Sequence, residues 1–260
     1  MNMKLQIVNP EQYSMYLQHI NTIDHGNVYP LSIAEGFQHG EIYESLDEKS
    51  AFIWHRCGFA FVAGVCDEPF LESVYELLID KNHTNQRRMI LFAEHAEIKD
   101  FFSEKAGVFI EQRYFFAYRN TQPTYLASLP DGFTLQEMNA ALLSRIQGKI
   151  TPHFSWNSEE EFLKKGKGFC VLHGEIIAAW AFSAAVSSKE IDIGVETYPC
   201  YRNQGLAAIA AAQMIRYILE QHKVPVWACH AQNAASQALA KKIGFEKCGE
   251  CFIIKNEGIG

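Results

Sequence analysis

Residues 189–222 read KEIDIGVETYPCYRNQGLAAIAAAQMIRYILEQH. They spell a strand, a tight turn and a helix in that order. KEIDIGVET alternates cleanly, with Ile191, Ile193, Val195 and Thr197 on one face and Glu190, Asp192, Gly194 and Glu196 on the other. LAAIAAAQMIRYILEQH (206–222) is a long, good helix former, with Pro225 as its expected stop. Between them, the spacing Arg202-x-x-Gly205-x-Ala207 puts a turn directly at a helix N-terminus. The first backbone N–H groups of a helix lack an internal partner and carry partial positive charge. A glycine and an alanine there let a phosphate approach the backbone, which makes an anion site. A short glycine turn also serves as a plain connector. It is not a Walker A loop, since no Gly-Lys-Ser/Thr follows, and not a dinucleotide fingerprint, which needs three glycines.

Outward from this stretch the pattern stays α/β. Upstream, GFCVLHGEIIAAWAFSAAV (168–186) has the shape of a β-hairpin turning at His173-Gly174, and SEEEFLKKG (158–166) opens like a capped helix on Ser158. FTLQEM predicts a short strand and NAALLSRIQ a helix. Downstream, VWACHA (226–231) predicts a strand, SQALAKKI (236–243) a helix and GFEKCGECFIIKN a final strand region. Two prolines and a Pro-Asp-Gly turn signal mark a seam at 120–133. Before it, residues 1–55 read as helical and acidic. GFAFVAGV (58–65), RMILFAE (88–94) and FIEQRYFFAY (109–118) read as strands, with helices over SVYELLIDKN and EIKDFFSEK between them. The expectation is an α/β domain over 1–125 and a second domain over 126–260.

Composition bounds the function. The 260 residues carry 23 Lys plus Arg against 30 Asp plus Glu, a net charge of −7 that argues against nucleic acid as the main partner. All of that excess lies in residues 1–130, with 10 basic and 17 acidic residues. No apolar run approaches a membrane span, and MNMKLQIVNPEQYSMY has no signal-peptide core. The seven cysteines read as reduced thiols, so a cytoplasmic setting is the default. Cys248 and Cys251 form one CxxC pair with no second pair at ligand spacing, and small apolar fillers on a late strand is the plainer reading.

Two segments in order, IDIGVETYPCYRNQGLA and NAASQALAKKIGF (233–245), resemble the GNAT superfamily of acetyl-CoA-dependent N-acyltransferases. Arg202, Gly205 and Ala207 match its turn, and Asn233, Ser236, Leu239, Lys242, Gly244 and Phe245 match its next strand–helix unit. The stretch through PVW, Asn233, Ser236 and the terminal GF looks similar to the zwittermicin A resistance branch. The resemblance covers about 131–255; the first 125 residues carry no motif. It implies a mixed central sheet flanked by helices (α/β, or α+β), with an additional N-terminal α/β domain. It also implies acetyl-CoA as cosubstrate and no metal.

The resemblance implies roles as well. Main-chain groups of Val195 and Thr197 pair with the pantetheine arm, as an added strand does. The N–H groups of Asn203, Gln204, Gly205, Leu206 and Ala207, with Arg202 beside them, hold the pyrophosphate. Asn233 holds the pantetheine end or caps a helix. Gln204 stands where many members carry a basic residue, so one charge is missing. Ala240 stands where many carry the tyrosine that protonates the leaving thiolate. Ser236 is then the nearest hydroxyl in the motif, against water or a plain helix-cap role. An ammonium must lose a proton before it attacks a thioester. Glu190, Asp192 and Glu196 are the candidate bases on one strand face, with Gly194 leaving room between them; each also reads as a solvated or ion-paired face residue.

The expected activity is acetyl transfer to an amine by direct attack in a ternary complex. The expected substrate is a small-molecule amine, with a protein or peptide amine as the alternative acceptor, no nucleic acid, no membrane and at most a second copy of the chain as partner. The rival reading is a catalytically silent acyl-CoA-binding sensor, which the missing tyrosine favours and the polar strand face does not.

Overall fold

The computed structural model describes residues 5–79 and 88–256. The described residues pack as two compact units, one formed by those within 1–114 and 249–260 and the other by 115–248.

In the first unit, strands β1 (Gln6–Ile7), β2 (Gly40–Glu44), β3 (Ser50–His55), β4 (Phe59–Gly64) and β5 (Ile90–Ala93) lie side by side in that order. The later part of β12 (Phe245–Asn256) follows, with Phe252 to Lys255 antiparallel to Ala93 to Ile90. Helices α1 (Leu17–Ile20) and α2 (Val28–Ala34) precede β2. Helix α3 (Glu68–Ile79) is the crossover that makes β4 and β5 parallel, and α4 (Ala96–Ser103) follows β5. Asp67 Oδ1 accepts the Phe70 amide at 3.0 Å and so satisfies a first-turn donor of α3. Phe70, Val74 and Leu78 of α3 bury against Phe52, Ala60 and Leu91 of the sheet, with Ile254 beside them. The helix expected over 73–82 is present up to Ile79; Asp80, Lys81 and Asn82 lie outside the described residues.

Residues 40–55 were expected to be helical with the rest of 1–55, and they form the hairpin β2–β3, registered from Gly40↔His55 to Glu44↔Ala51. Every residue of Ser50–His55 is buried, so this strand is apolar on both faces and lacks a period of two.

In the second unit, the end of β6 (Val108–Tyr118) leads through the seam to β7 (Phe133–Glu137). Helices α5 (Ala140–Leu143) and α6 (Glu159–Lys165) precede the hairpin β8 (Gly168–His173) and β9 (Ile176–Val186). Asn139 and Ser158 cap the two helices through the Leu142 and Glu161 amides. Strand β10 (Glu190–Thr197) runs antiparallel to β9 and parallel to β11 (Val224–His230), across the helix α7 (Leu206–Glu220). Leu206, Ala210, Met214 and Ile218 form the buried stripe of α7. The helix stops before Pro225: His222 takes the left-handed φ of 57°, and the Lys223 amide returns to the Ile218 carbonyl. Helix α8 (Ala234–Lys242) then leads into β12. Trp156, Trp180 and Trp227 are all core residues here, each with its indole N–H bonded. Cys248 is exposed and Cys251 buried, because positions three apart on a strand face opposite ways, so the CxxC pair does not converge on an ion.

Candidate functional site

Strands β10 and β11 pair only at Glu190↔Val224, Ile191↔Pro225 and Asp192↔Val226. Beyond Asp192 their ladder ends, while β10 stays paired with β9 as far as Thr197↔Ala179. A register shift between Asp192 and Ile193 marks the point of divergence. The strands therefore open like a V, and an open cleft of about 480 Å³ lies at its mouth. Val195, Glu196 and Thr197 line its strand wall. Arg202, Asn203, Gly205, Leu206 and Ala207 line the turn, and Asn233 and Ser236 line the wall from α8. Gln204 is exposed and does not line it.

The turn is built from left-handed backbone. Asn203 takes φ 63° and Gly205 φ 78°, and Gly205 is the N-cap of α7. Among the described residues, no acceptor meets the amides of Leu206 and Ala207. A Cβ on Gly205 would meet only Tyr125 Oη at 3.8 Å and Lys242 Nζ at 4.0 Å, so the space above the turn is open. Free amides, an open concavity and two cleft cations, Arg202 and Lys242, suit a phosphate. The residues fit the expected cofactor.

On the opposite wall, Asn233 Oδ1 accepts the Ser236 amide at 3.0 Å and caps α8. Its side-chain amide keeps two donor hydrogens for a ligand. Ser236 Oγ accepts the Trp227 indole N–H at 3.0 Å, which leaves its own proton to give. Ala240 is fully buried and brings no hydroxyl to the cleft. Sequence reasoning assigned no role to two lining residues with polar tips, Tyr201 and Lys242, although Lys242 is one of the residues that match the second segment. Tyr201 shares a 3.0 Å hydrogen bond with His173 Nδ1, and Phe133 stacks on that imidazole at 4.8 Å. The only sequence signal for Tyr201 is that it stands just before the turn.

The three carboxylates do not converge. Glu196 reaches the cleft, where its Oε2 accepts the Ile150 amide at 2.7 Å. Trp180 Nε1 donates to the carbonyl of the same residue at 2.7 Å, so the two side chains clamp the 148–150 loop. Glu190 and Asp192 lie near the apex of the V, about 20 Å and about 13 Å along the strand from Glu196. Asp192 is buried. Burial, and then the Asp192 charge, push the Glu190 carboxyl above the ordinary carboxylate range, with Lys189 opposing. Gly194 does not leave substrate room: a Cβ there would strike the Phe182 ring at 2.6 Å and Ala184 at 3.3 Å. That glycine accommodates core packing.

A sequence model of the GNAT acetyltransferase family matches residues 21–252. The chain belongs to the GNAT acetyltransferase family. The match takes in most of the first unit, where no motif was visible. YdfB of Bacillus subtilis (strain 168), described as an uncharacterized N-acetyltransferase, is 26% identical over 211 residues, covering 79% of this chain and 80% of its own. A GCN5-related N-acetyltransferase-like protein from Streptococcus suis shares the fold with a TM-score of 0.74 at 23% identity, over 95% of this chain and 99% of that one. A GCN5-related N-acetyltransferase from Kribbella flavida does so at 0.62 and 14%, over 97% and 96%. The GNAT acetyltransferase is thus an acyltransferase of mixed α/β fold. Among its described residues, no helix is long and apolar enough to cross a membrane.

Proposed function

We propose that this GNAT acetyltransferase moves an acetyl group from acetyl-CoA to a small-molecule amine by direct attack in a ternary complex. The observation that carries the reading is the opening of β10 from β11 beside a left-handed turn whose amides are free. In this reading the pyrophosphate rests on Asn203 to Ala207, and the pantetheine arm pairs with the β11-facing edge of Val195 and Thr197. The thioester then points toward the apex of the V. Asn233 holds the pantetheine end through its remaining donors.

At the apex, Glu190 takes the proton from the acceptor's ammonium, with Asp192 beside it. A carboxyl shifted upward is better matched to that task near neutral pH than an ordinary one. The amine nitrogen bonds to the thioester carbon, the C–S bond breaks, Ser236 or water protonates the departing thiolate, and the proton still in excess on the nitrogen restores that donor as the amide forms. Glu196 serves as a positioning residue for the 148–150 loop and the cofactor arm. No metal takes part. A cytoplasmic setting, in which the free cysteines stay reduced, and a place in the zwittermicin A resistance branch complete the proposal.

One observation favours a second reading. Ala240 leaves the family's usual acid position without a hydroxyl, as expected of a silent acyl-CoA sensor. Thiol release from acetyl-CoA across an amine panel decides between them. Amine-dependent release with one acceptor supports the enzyme, and tight coenzyme A binding without release under any acceptor supports the sensor.

A further inference from the structure

We propose that Lys242, held by a strap at Thr124–Tyr125, supplies the cation that the Gly205 turn lacks and neutralises the phosphate resting on that turn. This rests on the reading of the cleft as an acetyl-CoA site. Gln204 is neutral and stands off the cleft, so Arg202 is the turn's own single charge. Lys242 lines the same cleft from the last turn of α8. Its Nζ lies 4.0 Å from where a Gly205 Cβ would stand, within ion-pair reach of any group placed on that glycine. A lysine near a helix C-terminus also suits the helix dipole, and Lys241 does so equally. Lys242 differs from Lys241 in its neighbours.

Those neighbours come from the stretch that reads as a linker. Tyr125 Oη stands 3.8 Å from the same Gly205 position, and Lys242 Nζ lies 5.4 Å from the Tyr125 ring centre. Tyr125 is there because the preceding residues are fastened down. Thr124 Oγ1 donates to the Ile243 carbonyl at 3.2 Å, across 119 residues of sequence. The Thr124 amide donates to Tyr118 Oη at 2.9 Å, and that hydroxyl donates to the Gln122 carbonyl at 2.9 Å. Gly244, at φ 100°, makes the approach possible, since a Cβ on it would collide with Thr124 Oγ1. A glycine of the second sequence segment thus secures the strap, and the strap fixes the tyrosine against the lysine at the phosphate turn.

The test is calorimetric titration of coenzyme A and of dephospho-coenzyme A into the wild type, Lys242→Gln, Lys242→Arg and Lys241→Gln, with thermal melts to confirm folding. Lys242→Gln is expected to weaken both ligands by the same factor of roughly ten. Lys242→Arg should stay within about threefold of the wild type, since a phosphate accepts either cation. Lys241→Gln should stay within about twofold. Unchanged affinity in Lys242→Gln overturns the proposal and leaves the cleft reading intact. So does an equal loss in Lys241→Gln, or a loss seen with coenzyme A and absent with dephospho-coenzyme A, which would assign the lysine to the 3′-phosphate. A wild type that binds neither ligand overturns the cleft reading itself.

Discussion

The indole Nε1 of Trp227 donates to Ser236 Oγ at 3.0 Å, tying a core residue of β11 to the first turn of α8. The bond consumes an acceptor site on the hydroxyl and leaves its proton available. Ser236→Ala is expected to lower kcat about tenfold to a hundredfold while the coenzyme A Kd stays within about twofold. It should also cost about 1–3 kcal/mol of stability, because a buried indole N–H loses its acceptor. Ser236→Thr keeps the hydroxyl and should keep both. Steady-state kinetics with urea unfolding read the two effects, and a wild-type kcat in Ser236→Ala would assign the thiolate's proton to water.

Glu190→Gln separates catalysis from stability. The folded-state carboxyl is shifted upward, chiefly by burial, so the wild type gains most from Glu190 when it is protonated and loses that gain as pH rises through the shifted value. The glutamine variant should therefore melt higher than the wild type at neutral pH, with the difference shrinking toward acid pH. Its rate should fall by about a hundredfold or more near neutrality and by less at alkaline pH, where free amine is abundant. A wild-type pH–rate profile in this variant would remove Glu190 from the proton path.

Gly205→Glu is expected to abolish measurable coenzyme A binding. The side chain would enter the open space above the turn, and its charge would repel a phosphate. The left-handed φ of 78° adds about 1 kcal/mol of strain, small against the stability of a folded domain. Calorimetry on the folded variant checks it; retained affinity would move the phosphate elsewhere.

Cys200 is exposed and does not line the cleft, although it stands two residues before Arg202. Cys200→Ser should keep activity within about twofold, and initial-velocity plots should intersect. Parallel lines, or an acetylated cysteine found by mass spectrometry after a quench, would replace direct attack with a two-step route.

Gly244→Ala should lower stability by about 1–3 kcal/mol, because it combines a left-handed φ with a collision at Thr124. Coenzyme A affinity should fall with it as Tyr125 and Lys242 lose their strap. Urea unfolding paired with calorimetry reads both, and an unchanged unfolding midpoint would mean that the strap yields freely.

What the sequence made legible follows from distance along the chain. The strand, turn and helix over 189–222 depend on alternation, on one glycine and on alanine-rich propensity, all local. The Asn233 cap is likewise a contact across three residues. Ser50–His55 was misread because a strand buried on both faces carries no alternation. Tyr125, Lys242 and Gly205 were illegible as a group because they meet through the Thr124–Ile243 bond, which no local pattern encodes. Phe182 over Gly194 is the same kind of cross-strand fact.

The first unit takes the strand beside β5 from the far end of the chain, with Phe252 to Lys255 aligned against Ala93 to Ile90. During synthesis, β5 leaves the ribosome well before its neighbour exists. At 5–20 residues per second, the interval between Ala93 and Phe252 lasts roughly ten to thirty seconds. Throughout it the nascent chain presents an unpaired, apolar Ile90–Ala93 edge, a template for wrong partners. Premature termination anywhere in the second unit would leave that edge open for good, so truncated products should be sticky and short-lived even when every residue of the first 114 is intact.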